Sequence, residues 1–237
     1  MRLGGSAKPG RLPLLVLCLI LAALFSALGI WQVERRTWPF DLIARVDARV
    51  KAPATPVPGR SEWPGITRDS AEYRHVVAQG YFDHDRETLV QAVTDLGPGF
   101  WVVTPLLTAE GPVLINRGFV SGQRRAPATR ADGNTARLMT VSGLLRLTEP
   151  NGGFLRDNDP AADRWYSRDV AAIAAKRGLA NAAPFFVDAD KTPNPGGWPR
   201  GGLTAIHFRN THLVYALTWF ALAAFSAWAA FTVWRSR

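Results

Sequence analysis

The chain has four histidines, His75, His84, His207 and His212, and imidazole is the commonest metal ligand and the side chain that titrates nearest neutrality. His84 stands between Asp83 and Asp85 in FDHDR (82–86). Neighbours on a strand point to opposite faces, so this cluster reads as a solvated turn and not a pocket. His75 lies in a strand-like stretch with no partner motif beside it. No hydrolase elbow, zincin helix or dinucleotide-binding turn is present. No nucleophile, base and orienter are visible together, so the chain is not expected to be an enzyme. His212 differs. Tyr215 and Trp219 follow it by three and seven residues, which in a helix gathers all three on one face. Two readings stay open. One is an aromatic belt at a membrane interface. The other is an axial ligand for haem iron, with flat aromatics lining the macrocycle. His207, five residues earlier, is a possible second ligand, though a strand residue is the preferred reading.

The elements that position His212 are greasy. LPLLVLCLILAALFSALGI (12–30) and the run from Leu213 to Trp234 carry no charge. Each is about the ~20 residues that cross a bilayer as a helix. The first exceeds the ~7–15 residue core of a signal peptide, and no small-x-small cleavage site follows, so an uncleaved anchor is expected. Arg2, Lys8 and Arg11 precede the first span, and Arg235 and Arg237 follow the second. Both tails are therefore expected in the cytoplasm and the middle of the chain in the periplasm of a bacterial inner membrane. The expected division is 1–11 tail, 12–33 first span, 34–211 periplasmic domain, 212–234 second span and 235–237 tail. The net charge of +9 comes from scattered arginines alternating with acids, which excludes nucleic acid and suits a solvated surface or anionic membrane lipid. The single cysteine, Cys18, lies in the first span, so no disulfide and no CxxCH haem attachment is available outside. Met1 and Met139 are too few for a soft copper site.

The middle is mainly β. Trp31, Trp38, Leu42, Val46 and Val50 first predict an amphipathic helix over 31–51, bent or restarted at Pro39. Pro53, Pro56, Pro58 and Pro64 then predict a loop. Strands are expected at 73–82, 87–93, 99–108, 111–120, 137–149, 184–189 and 202–208, with Ala109-Glu110 turning a hairpin. A short helix is expected at 168–179, started near Asp169 and stopped at Gly178. NPGGWPRGG (194–202) reads as a plain turn and not a phosphate loop. The fold class is a membrane protein: two transmembrane α-helices flank a mainly-β (α+β) antiparallel extracytoplasmic domain, closed or sandwiched.

Five stretches occur in order: LGIWQVERRTWPFDLIARV, YRHVVAQGYF, VLINRGFV, WYSRDVAAIA and NTHLVYALTWFALA. Together they resemble the surfeit locus protein family from about Leu28 to Ala223. The resemblance implies a cytochrome c oxidase assembly factor that binds haem a and assists its insertion into oxidase subunit I. It implies haem a synthesis enzymes and that subunit as partners. A scaffold for oxidase subunits that never touches haem is the alternative. The family's ligand histidine falls on His212, and its Tyr and Trp fall on Tyr215 and Trp219. The Asn-Arg-Gly of the central strand falls on Asn116, Arg117 and Gly118, and the Gly-x-Trp-Gln turn falls on Gly29, Trp31 and Gln32. Asn116-Arg117-Gly118 reads first as structural, with Arg117 paired to a carboxylate. A haem propionate is the functional alternative for Arg117. Gly29 reads as a small residue that lets the spans approach. The chain departs from the family pattern at Pro39, where a basic residue is usual, and at Thr211, where a second asparagine is usual.

Overall fold

The computed structural model describes residues 10–34, 46–153, 155–204 and 212–235. The chain divides into two units, one made of 1–45 with 207–237 and the other of 46–206. Each is considered by itself. Pro39, Thr211 and His207 lie outside the described residues, as do 35–45 of the expected amphipathic helix.

The first unit is a helix pair. Helix α1 is Arg11–Glu34 and helix α5 is His212–Arg235. Both are long and apolar enough to cross a membrane, and each runs one or two residues beyond the expected span. Gly29, Trp31 and Gln32 lie inside α1, as a first span over 12–33 requires: an uncharged run keeps its backbone bonds there. Small residues make the seam. Ala216, Ala223, Ser226 and Ala230 are the buried positions of α5 among the described residues. On α1, Gly29 is buried, and a Cβ there would lie 2.6 Å from Cε1 of Phe220. Its small size admits a large ring from the other helix.

The second unit opens with helix α2 (46–51). The proline-rich loop after it holds strand β1 (Thr55–Pro56) and a 3-10 turn, Arg60–Gly65. Helix α3 (Arg68–Ala71) is capped by Thr67, whose hydroxyl accepts from the Ser70 amide. Strands β2 (His75–Phe82), β3 (Thr88–Thr94), β4 (Gly97–Thr108), β5 (Gly111–Ser121), β6 (Met139–Leu147) and β9 (Phe185–Ala189) form one sheet. A small second sheet pairs β7 (Gly152–Gly153) with β8 (Arg156–Asp157). Helix α4 (Val170–Lys176) starts at Asp169, whose carboxylate accepts from the Ala172 amide, and Gly178 follows at φ +62. Residues 202–204, expected to begin a strand, carry none.

The sheet order is β1-β2-β6-β9-β5-β4-β3, and β2 also pairs with β4 at Tyr81↔Leu107 and Phe82↔Leu106. That pairing closes β2, β6, β9, β5 and β4 into a five-stranded barrel and leaves β3 as an edge. The all-antiparallel expectation is corrected here. A ring with an odd number of strands cannot alternate throughout, and the parallel pair falls between β5 and β9.

Alternation sorts the side chains. Val76, Ala78, Leu106, Val113, Ile115, Leu145, Phe185 and Val187 form the inner cluster. Leu114, Phe186, Val90, Val103 and Trp165 pack beneath Val170 and Ile173 of α4 on the other face. Both faces of β5 are therefore covered, which explains its unbroken buried run from Val113 to Val120.

Candidate functional site

His212 opens α5, but its side chain lies outside the described residues. Its position is seven residues before Trp219, on the same helical stripe. Trp219 is half-buried and stacks on Phe25 of α1, with ring centroids 5.7 Å apart and planes at 24°. Tyr215, one turn earlier, is 54% exposed. The structure thus brings Trp219 against a residue that sequence reasoning did not single out. Phe25 is one apolar residue among many in its span, and only the pairing of the two helices reveals it. Stacking fixes the indole plane, whereas Tyr215 is left exposed.

Arg117 belongs to the other unit. It is 2% exposed. One Nη donates to Asn134 Oδ1 at 3.1 Å and contacts His84 Nδ1 at 3.3 Å. The other donates to the Gly133 carbonyl. The guanidinium lies 5.0 Å over the Phe82 ring, and Nε has no partner. The expected carboxylate is absent: among the described residues no ion pair reaches Arg117. Burial pushes its pKa down to about 10, with Glu87 opposing that shift and Arg130 adding to it. A propionate would have to displace the Gly133 and Asn134 contacts to reach this group. Asn116 and Gly118 hold the strand. Asn116 donates to Asp188 at 2.7 Å and accepts from the Gly118 amide at 3.2 Å. Gly118 sits at φ +128, and a Cβ would fall 2.1 Å from the Arg200 carbonyl oxygen.

His84 is not in a solvated turn. It is half-buried in a 3-10 turn, His84–Arg86. Its Nε2 lies 3.2 Å from the Thr135 carbonyl and its Nδ1 faces Arg117. One tautomer serves both, with Nε2–H donating and Nδ1 accepting. Burial lowers its pKa, and the Arg117 charge lowers it further. His75 bridges the Ala52 carbonyl and Ser142 Oγ, each at 2.9 Å, a structural tie. Among the described residues no group of three or more His, Cys, Asp or Glu is placed to hold a metal ion.

Sequence reasoning missed the largest polar constellation. Asp188, 2% exposed, accepts from Arg146 at 3.0 Å and Arg168 at 2.9 Å, besides Asn116. Arg146 also reaches Glu72 at 2.8 Å, and Arg168 reaches Glu149 at 2.6 Å. Burial opposes ionisation of Glu149, but the Arg168 hydrogen bonds and charge hold its carboxyl below the ordinary range. The legible signal was a charge inside apolar runs, Arg146 in GLLRL and Asp188 in FFVDA.

A model of the SURF1 family matches residues 19–224, which takes in the whole barrel and the adjoining part of each long helix. The chain belongs to the SURF1 family. Surfeit locus protein 1 of Mus musculus is 35% identical over 223 residues, 87% of this chain and 71% of the mouse protein. The Homo sapiens protein is 35% identical over 227 residues, 88% of this chain and 73% of its own length. A SURF1-like protein of Monosiga brevicollis is 36% identical over 215 residues, 83% of this chain and 78% of its own length. The SURF1 match holds the His212 stripe and the Arg117 strand in one frame.

Proposed function

We propose that this chain is a membrane-anchored, non-catalytic assembly factor for a haem–copper oxidase. Haem a is its cargo, His212 its ligand, and oxidase subunit I the recipient. The observation that carries the reading is the head of the helix pair: a histidine position on the stripe whose Trp219 is stacked on Phe25. Imidazole is an ordinary donor to haem iron, and the two stacked rings supply a rigid apolar wall beside it. Tyr215, exposed one turn below, offers a hydroxyl at the edge of such a site. A single replaceable ligand suits handover, because release then breaks one coordinate bond. Both spans would stay in the inner membrane, both tails in the cytoplasm and the barrel in the periplasm. Haem a synthesis enzymes would deliver the cargo.

A specific observation favours a second reading, a scaffold that packs oxidase helices and binds no haem. The outer side of α5 carries Phe225, Trp228, Phe231 and Trp234, all between 49% and 64% exposed. They form ring pairs at 5.9 and 6.0 Å. Such a face is material for helix packing.

The test is the visible spectrum of the full chain purified after co-expression with haem a synthesis enzymes. The carrier reading expects a Soret band in the wild type and loss of most of it in His212→Ala. Equal haem in both moves the ligand away from His212. A colourless protein that is still required for oxidase maturation selects the scaffold.

A further inference from the structure

The edge strand β3 and the small β7–β8 sheet frame a groove of about 810 Å³. Its walls include Val93, Pro98, Phe100, Arg156 and Tyr166, with Gly99, Gly122 and Gly153 presenting bare backbone. Val93 is 86% exposed, and Leu155, beside Arg156, is 87% exposed. Both are far above the other exposed apolar residues of this unit.

The backbone of β3 says what the groove takes. Val93 lies opposite Pro98, which has no N–H, so that pair cannot exchange ladder bonds and the amide of Val93 faces the free side. Two residues back, Gln91 has the same parity, and its amide donates outward to the Trp165 carbonyl at 2.8 Å. Trp165 runs parallel to β3 at Val90. Pairing along this edge has therefore begun and stops at Trp165, with the Val93 position next. Across the groove, Arg156 lies 5.5 Å over the Tyr166 ring and reaches Gln91 Oε1 at 3.5 Å. Among the described residues it pairs with no carboxylate.

We propose that this groove binds an extended, acidic peptide segment of a partner protein by strand addition to β3. The Val93 backbone supplies main-chain bonds, Val93 and Leu155 take apolar side chains, and Arg156 selects a carboxylate. A bilayer surface would use neither the free amide nor the groove, and a single cation is a poor headgroup site. The proposal is independent of haem and of His212.

The test uses the full chain in detergent micelles and a fluorescent octapeptide of alternating valine and glutamate, with its lysine-for-glutamate counterpart. Anisotropy should show saturable binding of the glutamate peptide and weaker binding of the lysine one. Val93→Pro, which removes the outward amide and replaces the exposed isopropyl group by a ring, should weaken binding about tenfold. Arg156→Glu should reverse the preference between the two peptides. Both positions are exposed, so circular dichroism should be unchanged. Absence of saturable binding, or a preference that Arg156→Glu leaves intact, overturns the proposal. A concentration-dependent dimer that Val93→Pro abolishes would assign the edge to a second copy and overturn it too. Quenching of a Val93→Cys label by doxyl lipid in proteoliposomes, in a Cys18→Ser background, would assign the patch to the bilayer with the same consequence.

Discussion

Arg146 and Arg168 meet Asp188 across β6 and β9, whereas Arg117 on β5 meets no carboxylate among the described residues. All three are largely enclosed: the Arg146 and Arg168 side chains keep 15% and 14% of their surface, and Arg117 is fully buried. The electrostatic outcome is opposite. At the first site burial works against the charge, but Asp188, Glu72 and Glu149 outweigh it, and both arginines are held above their ordinary range. At the second site burial dominates and Arg117 falls to about 10. Burial therefore does not decide the state of an arginine here; the counter-charge does. The first site is a lock that ties Glu72, Glu149 and the start of α4 to the barrel. The second is a clasp, in which a cation is held by carbonyl, amide, imidazole and a ring face.

The comparison breaks hardest at Asp188. Asp188→Ala leaves two enclosed guanidinium groups short of their shared anion and should cost about 3–5 kcal/mol of unfolding free energy. Asp188→Asn keeps the shape and removes the charge, so it should still lose most of that. Urea unfolding of the full chain in micelles, followed by far-UV circular dichroism of the barrel, reads both. A loss under about 1 kcal/mol for either variant would mean that the arginines find water and the lock is not one.

Arg117 should behave differently. Arg117→Met removes the bonds to Gly133 and Asn134 but also removes a desolvated charge. The two effects partly cancel, and a net cost of about 1–2 kcal/mol is expected. The local consequence should be larger than the global one. Amide exchange across 127–137 should quicken, because Arg117 is the buried tie between β5 and that loop. A cost as large as that of Asp188→Ala would erase the distinction between lock and clasp.

The contrast also marks where sequence reading stops. Apolar, strand-like runs over 99–108 and 111–120 joined by the short Ala109-Glu110 link located β4 and β5, and Asp169 with Gly178 bracketed α4, because these signals are local. The lock was out of reach. Arg146 and Asp188 are 42 positions apart, and they meet only because β9 inserts between β5 and β6, a consequence of closing an odd ring. Strands of two residues, β1, β7 and β8, show no period to read. On the helix side, spacing put His212, Tyr215 and Trp219 on one face. The Phe25 partner needed the second helix. Arg117 was expected to find a carboxylate because charged pairs are the rule for buried arginine; His84, Asn134 and Gly133 took that place.

The smallest effect sharpens the clasp. Above pH 6.5 His84 is neutral in both folded and unfolded chains and contributes no pH dependence. As pH falls through 6.5 the unfolded chain takes up a proton. The folded chain resists, because burial and Arg117 hold the ring below that value. The unfolded state then binds more protons, so stability falls with pH until the lowered folded value is reached and is constant below it. Protonation would also set a second cation against Arg117 and take away the Nδ1 acceptor, with Glu87 and Arg130 close enough to weigh on the outcome. Between pH 7.5 and 5.5 the wild type should lose more stability than His84→Asn, by at most about 1 kcal/mol. Other titrating groups contribute equally to both proteins and cancel in the difference. A wild-type slope no steeper than that of His84→Asn would mean that the imidazole takes its proton freely, and that the clasp tolerates a second positive charge.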